Sequence, residues 1–185
     1  MADRNRKRRN EDREELDERV VDIRRVAKVI KGGRRFAFRT VVVVGDNKGR
    51  IGVGIGKARA VPDSIRKAND KARSNLRKVA LVGDANLATI PYEVQGVHAG
   101  ARVLLKPAAP GTGVIAGGAV RNVLETVGVR NILSKSMGSA NMLNVTMATL
   151  DALDQLKSPE LLADMRGVSQ KEVTPVWMRS KMREE

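Results

Sequence analysis

The chain has 185 residues, of which 35 are Lys or Arg, 21 are Asp or Glu and one is His, so its formal net charge is +14. It contains no cysteine, which excludes thiol nucleophiles, disulfides and cysteine-based zinc sites. The single histidine, His98, excludes histidine clusters that bind metals, and the scarcity of aromatic residues argues against binding by base stacking. These properties favour a protein that binds an acidic partner with no cofactor and no metal ion.

The excess positive charge is concentrated in one segment. Residues 29–80 contain 14 basic and 3 acidic side chains, a net of +11, whereas residues 81–185 are nearly neutral. A surface whose charges serve only solubility would intersperse basic and acidic side chains. The distribution therefore predicts a first domain that faces a polyanion, followed by a neutral second domain.

The N-terminal segment MADRNRKRRNEDREE is charged and almost free of apolar side chains, so we expect residues 1–15 to form a disordered basic arm. No stretch approaches the roughly 20 apolar residues that a transmembrane helix needs, and the N-terminus lacks the apolar core of a signal peptide. We therefore expect no membrane partner and a cytoplasmic location.

Residues 16–82 are predicted to form a βββα RNA-binding domain. β-Branched residues favour strands over residues 20–31 and 36–44, and the basic turn Lys-Gly-Gly-Arg-Arg at 31–35 separates them. The segment Gly-Asp-Asn-Lys-Gly at 45–49 predicts a hairpin loop before a third strand at 50–56. Pro62 favours a helix start, and an amphipathic stripe extends that helix as far as Gly83: Ile65, Ala68, Ala72, Leu76 and Val79.

The third strand alternates apolar residues with glycines, with Ile51, Val53 and Ile55 on one face and Gly52, Gly54 and Gly56 on the other. We expect the apolar face to meet the core and the glycine face to lie against RNA backbone, because no side chain projects from it. A leucine at Gly54 is then expected to leave the fold intact and to prevent RNA binding.

Residues 83–89 are expected to be a linker, residues 90–167 a ββαβα domain and residues 168–185 a tail. The pattern predicts strands at 90–99, 101–106 and 129–136, and helices at 118–127 and 141–156. Ser158-Pro159-Glu160 is typical of a further helix start, and Gly167 is typical of its end.

The glycine-rich segment 111–118 offers an alternative function. Gly111, Gly113 and Ala116 satisfy the G-x-G-x-x-A spacing of dinucleotide loops, but position 131 is Asn where ribose recognition uses an acidic residue. A kinase-like enzyme using this loop and a free-standing RNA-binding regulator both stay open as alternatives. No set of residues assembles a nucleophile, a base and an orienting group, so we predict that the chain is not an enzyme.

Residues 31–62, KGGRRFAFRTVVVVGDNKGRIGVGIGKARAVP, resemble the hallmark of the family of the fifth ribosomal protein of the bacterial small subunit. The later segments GVHAGARV (96–103), PGTGVIAGG (110–118) and GVRNIL (128–133) are similar to the same family in the same order. The resemblance covers about residues 16–167. It implies an α+β fold, in which a double-stranded-RNA-binding-like βββα domain precedes a ββαβα domain with a left-handed β-α-β crossover, against the usual rule.

The resemblance also implies a function, that of a structural constituent of the small ribosomal subunit. Such a protein binds 16S rRNA, stabilises the head relative to the body, and contributes to translational accuracy and to the side where messenger RNA enters. The implied partners are 16S rRNA, ribosomal proteins four and eight of the small subunit, and messenger RNA near the channel through which it enters. The residues Lys31, Gly32 and Gly33 match a loop that lies near the spectinomycin site in that family.

The candidate RNA-binding residues are cations of the first domain and glycines that would permit close approach. Lys and Arg neutralise phosphates and release counterions, which gives affinity without base readout. The full set is Lys31, Gly32, Gly33, Arg34, Arg35, Arg39, Lys48, Arg50, Gly52, Gly54, Gly56, Lys57 and Arg59.

Overall fold

The computed structural model describes residues 16–84 and 87–178 of the chain, so the basic arm expected at residues 1–15 lies outside the described residues. The described part contains two four-stranded sheets with helices packed on them. The α+β class predicted from the sequence is confirmed. None of the helices described is long and apolar enough to cross a membrane.

The first sheet is antiparallel and contains β1 (Asp17–Ile30), β2 (Gly33–Gly45), β3 (Arg50–Ala58) and β4 (Arg77–Lys78), in that order. β1 and β2 form a long hairpin, in which Ile30 pairs with Gly33 around the turn residues 31 and 32. β3 pairs with β2 only from Gly45 as far as Phe38. The rest of the β1–β2 hairpin therefore projects beyond β3 as a two-stranded ribbon.

Helix α1 (Val61–Ser74) lies on the glycine face of β3, so the prediction that RNA occupies this face is wrong. A Cβ atom added at Gly52, Gly54 or Gly56 would lie about 2 Å from a helix carbonyl oxygen, that of Ala72, Ala68 and Ser64 respectively. Every second residue of a strand is ~6.6 Å further along, and every fourth residue of a helix is ~6 Å further along. The row of glycines on β3 and the row of small residues on α1 therefore have nearly the same spacing. The small residues on both elements thus bring two backbones together.

The helix is shorter than its apolar stripe predicts, because it ends at Ser74 instead of continuing to Gly83. Asn75 leaves the helical conformation, and the chain then turns back so that Arg77 and Lys78 pair with the start of β3. Val79 is buried, and its N–H donates a 2.7 Å hydrogen bond to the carbonyl of Gly49. Val79 fits the apolar spacing of the helix, but it is buried by contacts outside the helix. The spacing alone therefore does not show where the helix ends.

The second sheet contains β5 (Val94–His98), β6 (Ala101–Pro107), β7 (Val114–Ile115) and β8 (Ile132–Gly138), in the order β5-β6-β8-β7. β7 is a short strand that the sequence pattern did not predict, and it pairs in parallel with β8. Helix α2 (Gly118–Val127) connects these two strands and so completes the β-α-β crossover that the resemblance implies. The left hand of the crossover stays a prediction.

Three helices follow β8 in the part of the chain that the structure describes. α3 (Met142–Asp154) begins after Asn141, whose side chain accepts a hydrogen bond from the N–H of Leu143. α4 (Pro159–Arg166) begins after Ser158 and ends at Gly167, as predicted. The segment expected to be a tail contains the short helix α5 (Gln170–Val173) and a 3-10 turn at Val176–Met178. Thr89, in the segment expected to be a linker, forms an isolated bridge with Val82, which precedes that segment.

The two sheets share one apolar core. Its buried residues include Val43, Ile51 and Val79 from the first unit together with Leu124 and Val127 of α2. The β2–β3 loop also contacts the end of α2, because the N–H groups of Asn47 and Gly49 donate hydrogen bonds to the carbonyls of Thr126 and Val127. The second unit therefore holds one end of the first sheet, and the ribbon projects from the other end.

Candidate RNA interface

The first group of predicted residues lies together at the tip of the ribbon. Lys31, Gly32, Gly33, Arg34 and Arg35 are all exposed. Gly32 and Gly33 have φ angles of +90° and +141°, and a Cβ atom at either position would have no neighbour within 4 Å. The turn therefore needs glycine for its positive φ angles and not for lack of space. The cations Lys31, Arg34 and Arg35 flank it.

The second group, Arg39 and Lys57, lies in a row of cations across the sheet that also includes Arg24, which was not predicted. Arg24 pairs with Arg39 across β1 and β2, and Arg39 pairs with Lys57 across β2 and β3. Neighbouring strands are only about 4.8 Å apart, so these three side chains leave the same face side by side. We name this set the cation row; Arg59 follows it as an exposed residue just beyond the end of β3.

The cation row lies on the face opposite α1. The neighbour of Arg39, Thr40, faces α1, where its hydroxyl lies 2.7 Å from the hydroxyl of Ser64. Arg24 forms an ion pair with Asp22 at 2.8 Å, whereas the Nε of Arg39 is buried and has no hydrogen-bond partner among the described residues. Like charges placed directly opposite one another repel, so the row favours a bound anion.

Lys48 and Arg50 lie away from both groups, at the opposite end of the first sheet. Twelve residue steps along β2 separate Gly33 from Gly45, which is about 40 Å of extended chain. Arg50 forms a 2.7 Å ion pair with Asp46 there. Burial opposes ionisation of Asp46, but hydrogen bonds from the Arg50 side chain and from the N–H groups of Arg50 and Lys48 outweigh it and hold the pKa of Asp46 below its ordinary value.

The three strand glycines, Gly52, Gly54 and Gly56, are buried beneath α1 and cannot contact RNA. The thirteen predicted residues therefore divide into an open tip, part of a cation row, a packed loop and a packed strand.

Sequence reasoning missed three cations of β1 that lie in the ribbon or beside its base. Lys28 lies opposite Arg35, Arg24 lies opposite Arg39, and Arg25 lies opposite Phe38. The signal was present in the sequence, because a turn at residues 31 and 32 fixes the register of the hairpin as far as Asp22, where a bulge shifts it. Residues 23–45 contain seven basic side chains and no acidic one: Arg24, Arg25, Lys28, Lys31, Arg34, Arg35 and Arg39.

The glycine-rich loop before α2 is held by the second unit itself. The buried side chain of Asn131 accepts hydrogen bonds from the N–H groups of Gly111 and Gly113, at 3.0 and 3.2 Å. Asn131 stands where a dinucleotide site would use an acidic residue, and it occupies two amides that could otherwise bind phosphate. Residues 16–84 and 87–178 contain no group of three or more His, Cys, Asp or Glu side chains placed to hold a metal ion.

Comparisons with known proteins agree with the sequence resemblance. Residues 16–80 match the family described as ribosomal protein S5, N-terminal domain, and residues 96–166 match ribosomal protein S5, C-terminal domain. The chain is also 52% identical over 159 residues to the small ribosomal subunit protein uS5 of Psychromonas ingrahamii, with 86% of this chain and 93% of that protein covered. The chain therefore belongs to the ribosomal protein S5 family.

Proposed function

We propose that the chain is a structural constituent of the small ribosomal subunit and that it binds 16S rRNA through the tip of the ribbon and the cation row. The family is structural and not enzymatic, and it belongs to the ribosome, which lies in the cytoplasm of bacteria. The observation that carries the binding surface is the β1–β2 hairpin from its tip to the cation row, with seven cations and no carboxylate in residues 23–45.

The arrangement of these cations suits a phosphate backbone better than it suits the free protein. The opposed pair Lys28–Arg35 destabilises the isolated hairpin by like-charge repulsion, whereas Asp22 offsets part of the repulsion between Arg24 and Arg39. Phosphates placed along the ribbon remove that repulsion and release counterions into solution. Arg39 is half-buried, and the accessible part of its guanidinium can bind a phosphate oxygen on the same face.

The finer roles implied by the family resemblance form part of the proposal. A ribbon that projects from a core shared by two units can connect RNA segments that lie apart, which supports a role in holding the head against the body. The same position supports contributions to translational accuracy and contact with messenger RNA near its channel. The rate of stop-codon readthrough in cells that carry tip variants tests the accuracy role, and an unchanged rate would contradict it.

The outer face of the second sheet is the surface that we assign to ribosomal proteins four and eight. Val97, Arg102 and Met137 form one cross-strand row on this face, and all three are exposed. Leu133 and Ile115 form an exposed apolar pair on the same face. Such a mixture of apolar and basic side chains suits a protein contact. Cross-linking from Met137 in assembled subunits tests the assignment, and links to neither protein would contradict it.

The binding surface is tested by comparing two double variants that lose the same charge. Arg39→Gln with Lys57→Gln removes two of the three cations of the cation row. Lys48→Gln with Lys78→Gln removes two exposed cations at the other end of the sheet. Affinity for full-length 16S rRNA is measured by filter binding over a range of salt concentrations. Each lost phosphate contact lowers the log–log salt slope by roughly 0.7 to 0.9, so we expect a change of about 1.5 for the first variant and little change for the second.

Melting curves of both variants serve as the folding control. Equal losses of affinity in the two double variants would show that net charge alone drives binding, and would contradict the proposed surface.

A further inference from the structure

Phe36 is an exposed aromatic residue in the cationic ribbon. It lies on β2 beyond the last pair with β3, on the same side of the sheet as α1, and 48% of it is exposed. The residue directly opposite on β1 is Ala27, which is too small to cover the ring. Ala27 therefore leaves the ring uncovered, on a face that also holds Val29 and the cations Arg25 and Arg34.

Arg25 lies over one face of this ring, and we name the stacked pair the Phe36–Arg25 platform. Its guanidinium carbon lies 3.7 Å from the centre of the Phe36 ring, which is the distance of a stacked cation–π pair. Both groups are planar, and both are surfaces on which nucleobases stack. Further along the same face, Val29 is 74% exposed and pairs with Arg34.

The surrounding charge determines what fits this platform. An apolar protein segment would leave Arg25 and Arg34, the exposed cations on the same face as the ring, without anionic partners. A nucleotide combines a flat apolar base with an anionic phosphate, and Arg34 lies beside the platform to bind that phosphate. A paired base has both faces covered by its neighbours in the helix, so the platform suits a base that is unpaired.

We infer that one unpaired base of the bound RNA stacks on the Phe36–Arg25 platform, while the cations of the ribbon bind the phosphates on either side. This inference rests on the proposed function, and it adds a base contact to a surface that otherwise binds phosphates. The scarcity of aromatic residues in the chain argued against base stacking, but a single ring with an arginine is sufficient for one base.

The first test measures affinity for full-length 16S rRNA with the complete chain. Phe36→Leu keeps an apolar side chain but removes the ring, so we expect a loss of affinity of about tenfold. The salt slope should stay unchanged, because no phosphate contact is lost. Phe36→Tyr keeps the ring and should bind like the original chain. Val29→Ala removes a neighbouring apolar side chain and should also have little effect.

The second test asks whether Phe36 and Arg25 act as one platform. Arg25→Lys keeps the charge but removes the plane, and in a double-mutant cycle its loss should not add fully to that of Phe36→Leu. Acylation of RNA 2′-hydroxyls should show a nucleotide that the original chain and Phe36→Tyr constrain and that Phe36→Leu leaves flexible. Equal affinity and an equal acylation pattern for Phe36→Leu would overturn the inference.

The two proposals fail in different ways. If the original chain does not bind 16S rRNA with a salt-dependent affinity, the proposed function itself is wrong. If removal of the cation row lowers binding and removal of the ring does not, the proposed function stands and the stacked base is wrong. Melting curves that match for Phe36→Leu and Phe36→Tyr exclude unfolding as the cause of any difference.

Discussion

The two ends of the first sheet are both rich in glycine, but they use it for opposite reasons. In β3, Gly52, Gly54 and Gly56 have no Cβ atom because the carbonyl groups of α1 occupy that space. At the tip, Gly32 and Gly33 have empty space around them and need glycine for their positive φ angles. One end is packed against the rest of the protein, and the other is open to a partner.

This difference shows that a glycine in a basic segment does not by itself indicate a ligand. A bare strand face is equally suited to a second backbone within the same chain, and the second unit repeats this arrangement at Gly96. A Cβ atom there would lie 2.0 Å from the carbonyl oxygen of Ala148 on α3. The tip is distinguished because its glycines contact nothing and its neighbours are cations.

The largest effect on stability is expected from a substitution at the packed end of the first sheet. Gly54→Ala would place a Cβ atom 1.9 Å from the carbonyl oxygen of Ala68, and neither backbone can move without separating helix from sheet. We expect a loss of about 3 kcal/mol or more in the free energy of unfolding, measured by denaturant titration. This reverses the expectation that even a leucine at Gly54 leaves the fold intact.

Gly118→Ala provides the matched control, because a Cβ atom at Gly118 meets nothing within 4 Å and alanine favours a helix. A Gly54→Ala variant as stable as this control would mean that α1 does not pack on β3 as described.

Much of the first unit could be predicted from the sequence, because its signals are local. β-Branched runs, the glycine turn and the Gly-Asp-Asn-Lys-Gly loop define the three main strands without any tertiary contact. The function of the glycine face could not be predicted in the same way, since it depends on what packs there. A matching row of small residues on the helix, Ser64, Ala68 and Ala72, carries the missing information, but only when both elements are considered together.

The candidate site could be predicted only in part, because charge is a local property of the sequence whereas the position of each cation depends on the fold. Charge alone grouped Lys48 with Lys31, although the sheet holds them at opposite ends. The end of α1 and the short strand β7 depend on contacts with other parts of the chain, so helical period and strand propensity do not locate them. The hairpin register, by contrast, is fixed by its turn, and it assigns Arg24 and Lys28 to the surface.

An intermediate effect is expected from Asp46 in the packed β2–β3 loop. Asp46→Asn weakens the hydrogen bonds from the N–H groups of Lys48 and Arg50 and the ion pair with Arg50, at a side chain that is only 7% exposed. We expect a loss of about 1–2 kcal/mol at neutral pH. Because folding lowers the pKa of Asp46, its stabilising contribution is complete above the unfolded pKa of about 3.9 and is lost as the pH falls through the folded value.

The stability difference between the original chain and Asp46→Asn should therefore be constant near pH 7 and should shrink below about pH 4. Asp63→Asn is the control, since Asp63 is exposed and its ion pair with Arg66 is long, at 3.6 Å. That variant should lose less than about 1 kcal/mol. A difference for Asp46→Asn that persists unchanged into strong acid would contradict the assigned role of the carboxylate.

The smallest effect on stability, combined with a clear effect on function, is expected at the open end. Gly33→Val forces a β-branched residue into a φ angle of +141°, which costs about 1 kcal/mol of local strain, but the new side chain meets nothing within 4 Å. The two-residue turn should change shape while both units keep their cores. Since the family resemblance associates Lys31, Gly32 and Gly33 with the spectinomycin site, growth in spectinomycin should change in cells whose ribosomes contain the variant. Gly167→Val imposes similar strain in open space at the end of α4, at a φ of +63°, and should leave drug sensitivity unchanged. Equal drug responses of the two variants, with incorporation into subunits verified, would show that the tip does not act at that site.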